Sequence, residues 1–170
     1  TSQGSIFMKS HKHLVISVKG HKDDIMTFVE DINDQIKKGL YVHGSTTELL
    51  EQEGVRYSGS LSVPEGEEIA FPKGLVVEHF QSVTHATYRF RTQTSRVPEL
   101  IDLRTNVDLQ CRGMGIKTNY SHRGMKATKS DGFLEGSVAG SIDDVLEIRE
   151  LIRENIYGVK LNQEAIVYQN

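Results

Sequence analysis

The sequence is short of cysteine and has no long apolar run, and each absence limits what the protein can be. The single cysteine, Cys111, excludes an internal disulfide framework and a cysteine-based zinc site. No segment approaches the roughly 18 apolar residues of a membrane-spanning helix. The first residues also lack the apolar centre of a signal peptide. We therefore expect a soluble protein with no membrane partner and a cytoplasmic location, which the lone thiol permits.

Sequence motifs for nucleotide binding and hydrolysis are absent as well. Gly113 and Gly115 are not a dinucleotide fingerprint, because they follow a predicted helix and lack a third glycine at the required spacing. There is no Walker-type loop, no Gly-x-Ser-x-Gly elbow and no His-Glu-x-x-His motif. The sequence thus predicts no cofactor and no metal site, and it favours a non-enzymatic role without deciding the question.

Hydrophobic periodicity predicts three helices between short strands. Asp23 and Asp24 suit the positive end of a helix, and Gly39 is a typical stop. Two more helices are predicted after Ser95 and after Ser141. A capping-box pattern, Ser45 to Glu48, predicts a further short helix that ends near Gly54. The apolar faces of the three longer helices are Ile25, Phe28, Val29, Ile32 and Ile36; Leu100, Leu103, Val107 and Cys111; and Val145, Ile148, Leu151, Ile152 and Ile156.

The order of these elements predicts an α+β fold. Strand, helix and strand follow one another three times, which is typical of a ferredoxin-like, split βαβ arrangement with helices on one face of an antiparallel sheet. We expect one domain over residues 1–170: a loose arm at 1–12, a ferredoxin-like core at 13–121 and a C-terminal βαβ extension at 132–170. The octets 17–24 and 137–144 share a Ser-Val-x-Gly-x-x-Asp-Asp pattern. This pattern indicates either a repeated unit or favourable strand-to-helix turn chemistry that occurs twice.

Charge is distributed unevenly along the chain. Residues 84–129 contain nine lysines and arginines but three acids, whereas the whole chain has a net charge of −3. A basic surface of this kind can neutralise phosphates. We predict that the basic stretch binds nucleic acid, most specifically single-stranded RNA, or has a regulatory role. The alternative is a set of solvated charges that is paired with acids of the same chain or with a protein partner.

Strand periodicity assigns the basic residues to one face. In the predicted strand 84–91, Tyr88 and Phe90 point one way, and Arg89 and Arg91 point the other. If helices cover the aromatic face, the two arginines face solvent. The predicted phosphate contacts are Arg89, Arg91, Arg112, Lys117, Arg123 and Lys126, with Tyr120 and His122 beside unpaired bases.

One histidine suggests a third function. The triplet His85-Ala86-Thr87 resembles half of the paired His-x-Thr motif of two-histidine phosphoesterases, in which each imidazole acts as an acid or base. A second triplet is missing, and His43-x-Ser45 is the nearest substitute. His85 and Thr87 are therefore weak catalytic candidates, and a polar sheet face explains them equally well.

The remaining polar residues favour structural roles or protein binding. Asp23, Asp24, Asp143 and Asp144 are expected to cap helices, and Cys111 to be a core thiol. His11 and His13 are spaced to share a strand face without completing a metal site. The acids on the exposed faces of the first and third helices, together with an open sheet edge, allow a protein-binding module, such as an inhibitor or assembly component, or a homo-oligomer. These acids are Glu30, Asp31, Asp34, Glu147, Glu150 and Glu154.

Overall fold

The computed structural model describes residues 10–94, 97–123, 132–154 and 159–170. Within these ranges, eight strands and three helices follow one another along the chain. The elements are β1 (His11–His21), α1 (Lys22–Ile36), β2 (Tyr41–Leu49), β3 (Gly54–Pro64), β4 (Val76–Val83), β5 (His85–Thr94), α2 (Val97–Cys111), β6 (Lys117–Arg123), β7 (Gly132–Ser141), α3 (Ile142–Glu154) and β8 (Lys160–Gln169).

These elements form two antiparallel four-stranded sheets. The order of the first sheet is β2-β3-β1-β4, and that of the second is β6-β7-β5-β8. Numbered within its own sheet, each therefore has the order 2-3-1-4, and a helix follows the first strand in both. The second sheet contains the complete split βαβ succession of strands and helices. The predicted α+β, ferredoxin-like fold is confirmed, and its strand order occurs in both sheets.

The chain divides into two compact units between Val83 and Thr84. We call β1 to β4 the N-terminal unit and β5 to β8 the C-terminal unit. This observed boundary differs from the predicted division at residue 121, because β5 and β6 join β7 and β8 in one sheet. Only Thr84 separates β4 from β5, so the sequence there resembles one interrupted strand and gives no sign of a boundary.

The prediction of a helix after Ser45 is wrong. These residues belong to β2, in which Thr46 pairs with Ser58 and Glu48 with Arg56 of β3. Threonines are β-branched and suit a strand, so the pairing with β3 overrides the local capping signal.

The buried faces of the helices follow the predicted apolar periodicity, except that Ile36, predicted on the apolar face of α1, is 44% exposed at the end of the helix. In the N-terminal unit, Ile25, Phe28 and Ile32 of α1 are buried against β1 and β3. In the C-terminal unit, the predicted α2 positions Leu100, Leu103, Val107 and Cys111 are all buried, as are Val145, Ile148 and Ile152 of α3. Among the described residues, no helix packs on the other face of either sheet, and we call this the uncovered face. The predicted position Ile156 lies outside the described residues.

Candidate nucleic-acid interface

The middle of β5 carries two arginines on the uncovered face of the C-terminal sheet. Tyr88 and Phe90 are 1% and 3% exposed and point towards the helices. Arg89 and Arg91 alternate with them and therefore project from the opposite face. This orientation is the one that strand periodicity predicts.

Strand register surrounds these arginines with polar side chains. Arg89 lies between Ser137 of β7 and Ala165 of β8, and Arg91 lies between Glu135 and Gln163. One strand further out, Asn119 and Ser121 of β6 pair with Ser137 and Glu135. Together with neighbouring residues, they line a groove of about 810 Å³. The sequence analysis missed these partners, because alternation gives the face of each strand but not which residues lie side by side.

The two arginines have different surroundings. The Arg91 guanidinium lies 4.0 Å from the centre of the Phe133 ring, and its Nε atom is 3.7 Å from Glu135 Oε1. Arg91 is thus held in place by a cation–π contact and a weak ion pair. Arg89 has no ion pair or cation–π partner within the described part of the chain. Its charge is therefore available to a ligand.

The other predicted binding residues are dispersed. Lys117 begins β6 and shares the uncovered face with Asn119, so it lies on the same surface as the arginines. Arg112 is exposed in the turn after α2. The side chains of His122 and Arg123, and the whole of Lys126, lie outside the described residues.

Tyr120 lies on the opposite, helix-covered face. Its hydroxyl donates a hydrogen bond to Asp108 Oδ1 at 2.9 Å, and the Arg104 guanidinium lies 4.8 Å from its ring centre. Burial, followed by the hydrogen bond to Asp108, raises the pKa of Tyr120 far above its ordinary value. Tyr120 is thus a packing residue that links β6 to α2. The sequence did not predict on which face of the sheet Tyr120 lies, because the face depends on the residue at which β6 begins.

The weak catalytic candidates lie on the predicted face without a partner triplet. His85 is exposed at the start of β5, and its Nδ1 atom is 2.8 Å from Thr84 Oγ1. Thr87 follows on the same face. His43, the nearest substitute for a second histidine, belongs to β2 of the N-terminal unit. Among the described side chains of the C-terminal unit, His85 is the one imidazole, whereas the phosphoesterase motif uses two.

Cys111 has the surroundings of a core thiol. It is buried at the end of α2, and burial, with Asp108 nearby, raises its pKa to about 11. The thiol is therefore protonated at neutral pH and a poor nucleophile. Among the described residues, no three His, Cys, Asp or Glu side chains converge in a geometry that could hold a metal ion.

The acidic helix faces differ in how far their charges are already paired. On α1, Glu30, Asp31 and Asp34 are exposed. On α3, Glu150 forms ion pairs with Arg149 and Arg153 at 3.7 and 3.2 Å. The acids of α3 are therefore partly neutralised within the C-terminal unit, and α1 offers the more open acidic surface.

On the uncovered face of the N-terminal sheet, carboxylates of the same sheet neutralise Arg56. Arg56 donates hydrogen bonds to Glu78 at 2.7 Å and to Glu48 at 2.8 Å, and Lys19 pairs with Glu78 at 3.6 Å. These carboxylates raise the pKa of Arg56 above its already high value. An anionic ligand would have to compete with two carboxylates for Arg56, whereas no carboxylate among the described residues pairs with Arg89.

Comparison with known proteins finds similar solved structures but no similar sequences. No protein-family model matches the chain, and no curated protein is similar to it in sequence. A protein of unknown function from Galdieria sulphuraria has 13% identity and a TM-score of 0.30 over 95% of this chain and 100% of its own. A candidate glycine cleavage system transcriptional repressor has 13% identity and a TM-score of 0.34 over 94% and 99%. A heme-binding protein from Thermus thermophilus has 8% identity and a TM-score of 0.31 over 94% and 92%.

These likenesses carry no argument about function, because every identity is below 25% and every TM-score is below 0.5. Any functional inference therefore has to come from the geometry of the chain itself. Among the helices that the structure describes, none has the length and apolar composition needed to cross a membrane.

Proposed function

We propose that this protein is a non-enzymatic nucleic-acid-binding protein and that its ligand is single-stranded RNA. The observation that carries the proposal is the position of Arg89 and Arg91 in a polar groove on an uncovered antiparallel sheet. Arg89 supplies a charge that no described carboxylate neutralises. Lys117 adds a third cation at the β6 edge of the same face.

A single strand suits this surface better than a duplex. The Arg91 guanidinium over the Phe133 ring presents a flat cationic plane, and unpaired bases stack on arginine and aromatic planes. Asn119, Ser121 and Ser137 offer hydrogen-bonding groups for base edges and the ribose 2′-hydroxyl. A duplex conceals its bases and would use the charges alone. Arg112, Arg123 and Lys126 remain predicted phosphate contacts outside the groove.

The test is fluorescence anisotropy with a labelled single-stranded RNA, and with DNA of the same sequence, at about 50 and 200 mM salt. The double variant R89A/R91A should weaken binding at low salt. It should also reduce the slope of log affinity against log salt by about 1.4, since each phosphate contact to a single strand contributes about 0.7. Circular dichroism should show an unchanged fold, because both side chains project from the uncovered face.

Arg56→Ala is the matched control. Arg56 occupies the uncovered face of the other sheet but is bonded to Glu48 and Glu78, so its loss should leave RNA affinity and the salt slope unchanged. Equal binding by wild type and R89A/R91A would refute the proposed interface. Weakening by R56A to the same degree would indicate that binding follows total charge rather than this groove.

A second candidate function is protein binding, which the edge strand β4 supports. Val76, Val77 and Phe80 are exposed along it, and an apolar sheet edge can pair with another chain. Absence of RNA binding at low salt, together with a concentration-dependent dimer in light scattering, would favour this candidate over RNA binding.

A further inference from the structure

Two imidazoles converge on one hydroxyl on the uncovered face of the N-terminal sheet. Ser62 of β3 pairs with His13 of β1 and with Tyr41 of β2. The register between β2 and β3 shifts after Val42, at His43. As a result, Ser62 Oγ lies 2.5 Å from His13 Nδ1 and 2.5 Å from His43 Nε2.

These separations place both imidazoles in direct hydrogen-bond contact with the hydroxyl. Nitrogen and oxygen atoms that share a proton usually lie 2.7 to 3.2 Å apart. The serine has one proton, so it can donate to one imidazole, and the other imidazole must present an N–H group to the oxygen. The two rings have centroids 6.5 Å apart and are tilted by 51°. The fold thus brings two imidazoles and one hydroxyl together at one point, and a cation bound at about 2.0–2.1 Å from the nitrogens would move these atoms to roughly 3 Å from one another.

We propose that His13 Nδ1, His43 Nε2 and Ser62 Oγ bind a divalent transition-metal cation of the Zn²⁺ and Cu²⁺ class. Imidazole nitrogen is a preferred ligand of these ions, whereas Mg²⁺ and Ca²⁺ require more oxygen donors. Binding would replace the two hydrogen bonds to Ser62: the imidazole that donates there moves its proton to its other ring nitrogen, and water fills the remaining coordination positions. The serine is fully buried, but both imidazoles are half-buried and can be reached from solvent.

One aromatic ring lies beside a proposed ligand. The Tyr41 ring lies parallel to His43, at an interplanar angle of 5° and a centroid distance of 6.2 Å. His11 projects from the same end of β1, but its Nε2 atom is 3.2 Å from the Gly39 carbonyl oxygen. His11 is therefore not part of the three-atom set. This donor set has two histidines and a hydroxyl, so we expect exchangeable binding rather than a permanently occupied structural site.

Electron paramagnetic resonance of the full chain titrated with Cu²⁺ provides the direct test. The wild-type spectrum should show one bound ion with hyperfine splitting from two imidazole nitrogens. His43→Gln should reduce the splitting to one nitrogen and weaken Cu²⁺ binding by more than tenfold, since loss of even an outer-shell partner costs about 10–100-fold. Zn²⁺ should raise the thermal midpoint of the wild type but not of H43Q, because a ligand that binds the folded state stabilises it.

His79→Gln is the matched control. His79 pairs with Ser17 on the same uncovered face and is exposed, away from Ser62. H79Q should keep the two-nitrogen spectrum and the wild-type affinity. A wild-type spectrum without two imidazole nitrogens would overturn the proposal whether or not the variants fold. Equal loss of Cu²⁺ in H43Q and H79Q would also overturn it, because it would indicate scattered binding to surface histidines.

Discussion

The two units share a strand order but cover their sheets differently. In the C-terminal unit, α3 lies between β7 and β8 and packs its buried side chains on the sheet. In the N-terminal unit, residues 65–75 occupy the corresponding place without a helix, and Ile69, Phe71 and Leu75 pack against the core instead. Three apolar side chains therefore partly replace a helix. The comparison shows that the pattern of strand pairing, rather than the number of helices, defines this fold.

The missing helix leaves β4, the edge strand of the N-terminal unit, incompletely covered. Phe80 pairs with Ile16, whose side chain is buried on the helix-covered face. Phe80 nevertheless remains 49% exposed, with its ring 6.0 Å from that of Phe71. A residue at a covered position of the fold is thus left half in water where the second helix is missing.

The strongest test compares two phenylalanines of the N-terminal unit, one fully buried between the helix and the sheet and one half exposed on β4. Phe28 of α1 is fully buried between the rings of Tyr57 and Phe71. Phe28→Ala should lower the free energy of unfolding by about 3–5 kcal/mol, from lost burial and the cavity left behind. Chemical denaturation followed by circular dichroism measures the change.

Phe80→Ala is the control within the same unit. Because half of its side chain already faces solvent, it should cost clearly less than Phe28→Ala, at most about 2 kcal/mol. Equal losses in the two variants would mean that Phe80 is covered in solution. The contrast between a helix-covered and a partly bare sheet would then be incorrect.

The sequence predicts what depends on local pattern and misses what depends on register. Helical spacing identifies the buried positions of α2, and alternation identifies the solvent face of Arg89 and Arg91, because each requires one element alone. The face of Tyr120 and the partners of Arg91 depend on how β6 and β8 align with their neighbours. The meeting of His13 and His43 requires a register shift after Val42, which no spacing along the chain reveals.

The repeated octet illustrates the same limit. Residues 17–24 lead from β1 into α1, and residues 137–144 lead from β7 into α3. Both are strand-to-helix turns, but they follow the first strand of one unit and the third strand of the other. The octets therefore do not align the two units, whereas their shared strand order does.

Glycines in the third strand of each sheet offer a second, smaller test of the comparison. A Cβ atom on Gly136 of β7 would lie 2.5 Å from Phe90 Cζ and 3.1 Å from Tyr120 Cδ1. Phe90 is buried and cannot withdraw, so Gly136→Ala should overpack the core and destabilise the protein by about 1–3 kcal/mol. The free energy of unfolding in denaturant is again the measurement.

Gly59 of β3 is the matched position in the N-terminal unit. Its Cβ atom would lie 3.2 Å from the Tyr57 ring, a distance that a small shift can relieve. Alanine also restricts the unfolded chain more than glycine does, which offsets part of the cost. Gly59→Ala should therefore change stability by no more than about 0.5 kcal/mol. A larger loss for G59A than for G136A would show that the N-terminal core is the more tightly packed of the two.

Acid titration provides the smallest expected effect. The Arg153 guanidinium, and then the Tyr88 hydroxyl, donate hydrogen bonds to Glu164 and hold the pKa of that carboxyl below its ordinary value of 4.5. A carboxyl whose pKa is lower in the folded state contributes stability above its unfolded pKa, and this stability is lost as the pH falls through the folded pKa. Glu164→Gln should therefore lower the free energy of unfolding at pH 7 and flatten its decrease between pH 5 and 3. The change in free energy should be less than about 1 kcal/mol, because the pair is partly exposed. Denaturant unfolding of both proteins across this pH range measures the slope.

Glu78→Gln, which removes the acid that pairs with Arg56 in the N-terminal unit, should flatten the slope in the same direction. Unchanged slopes in both variants would mean that neither unit gains its acid sensitivity from these carboxylates.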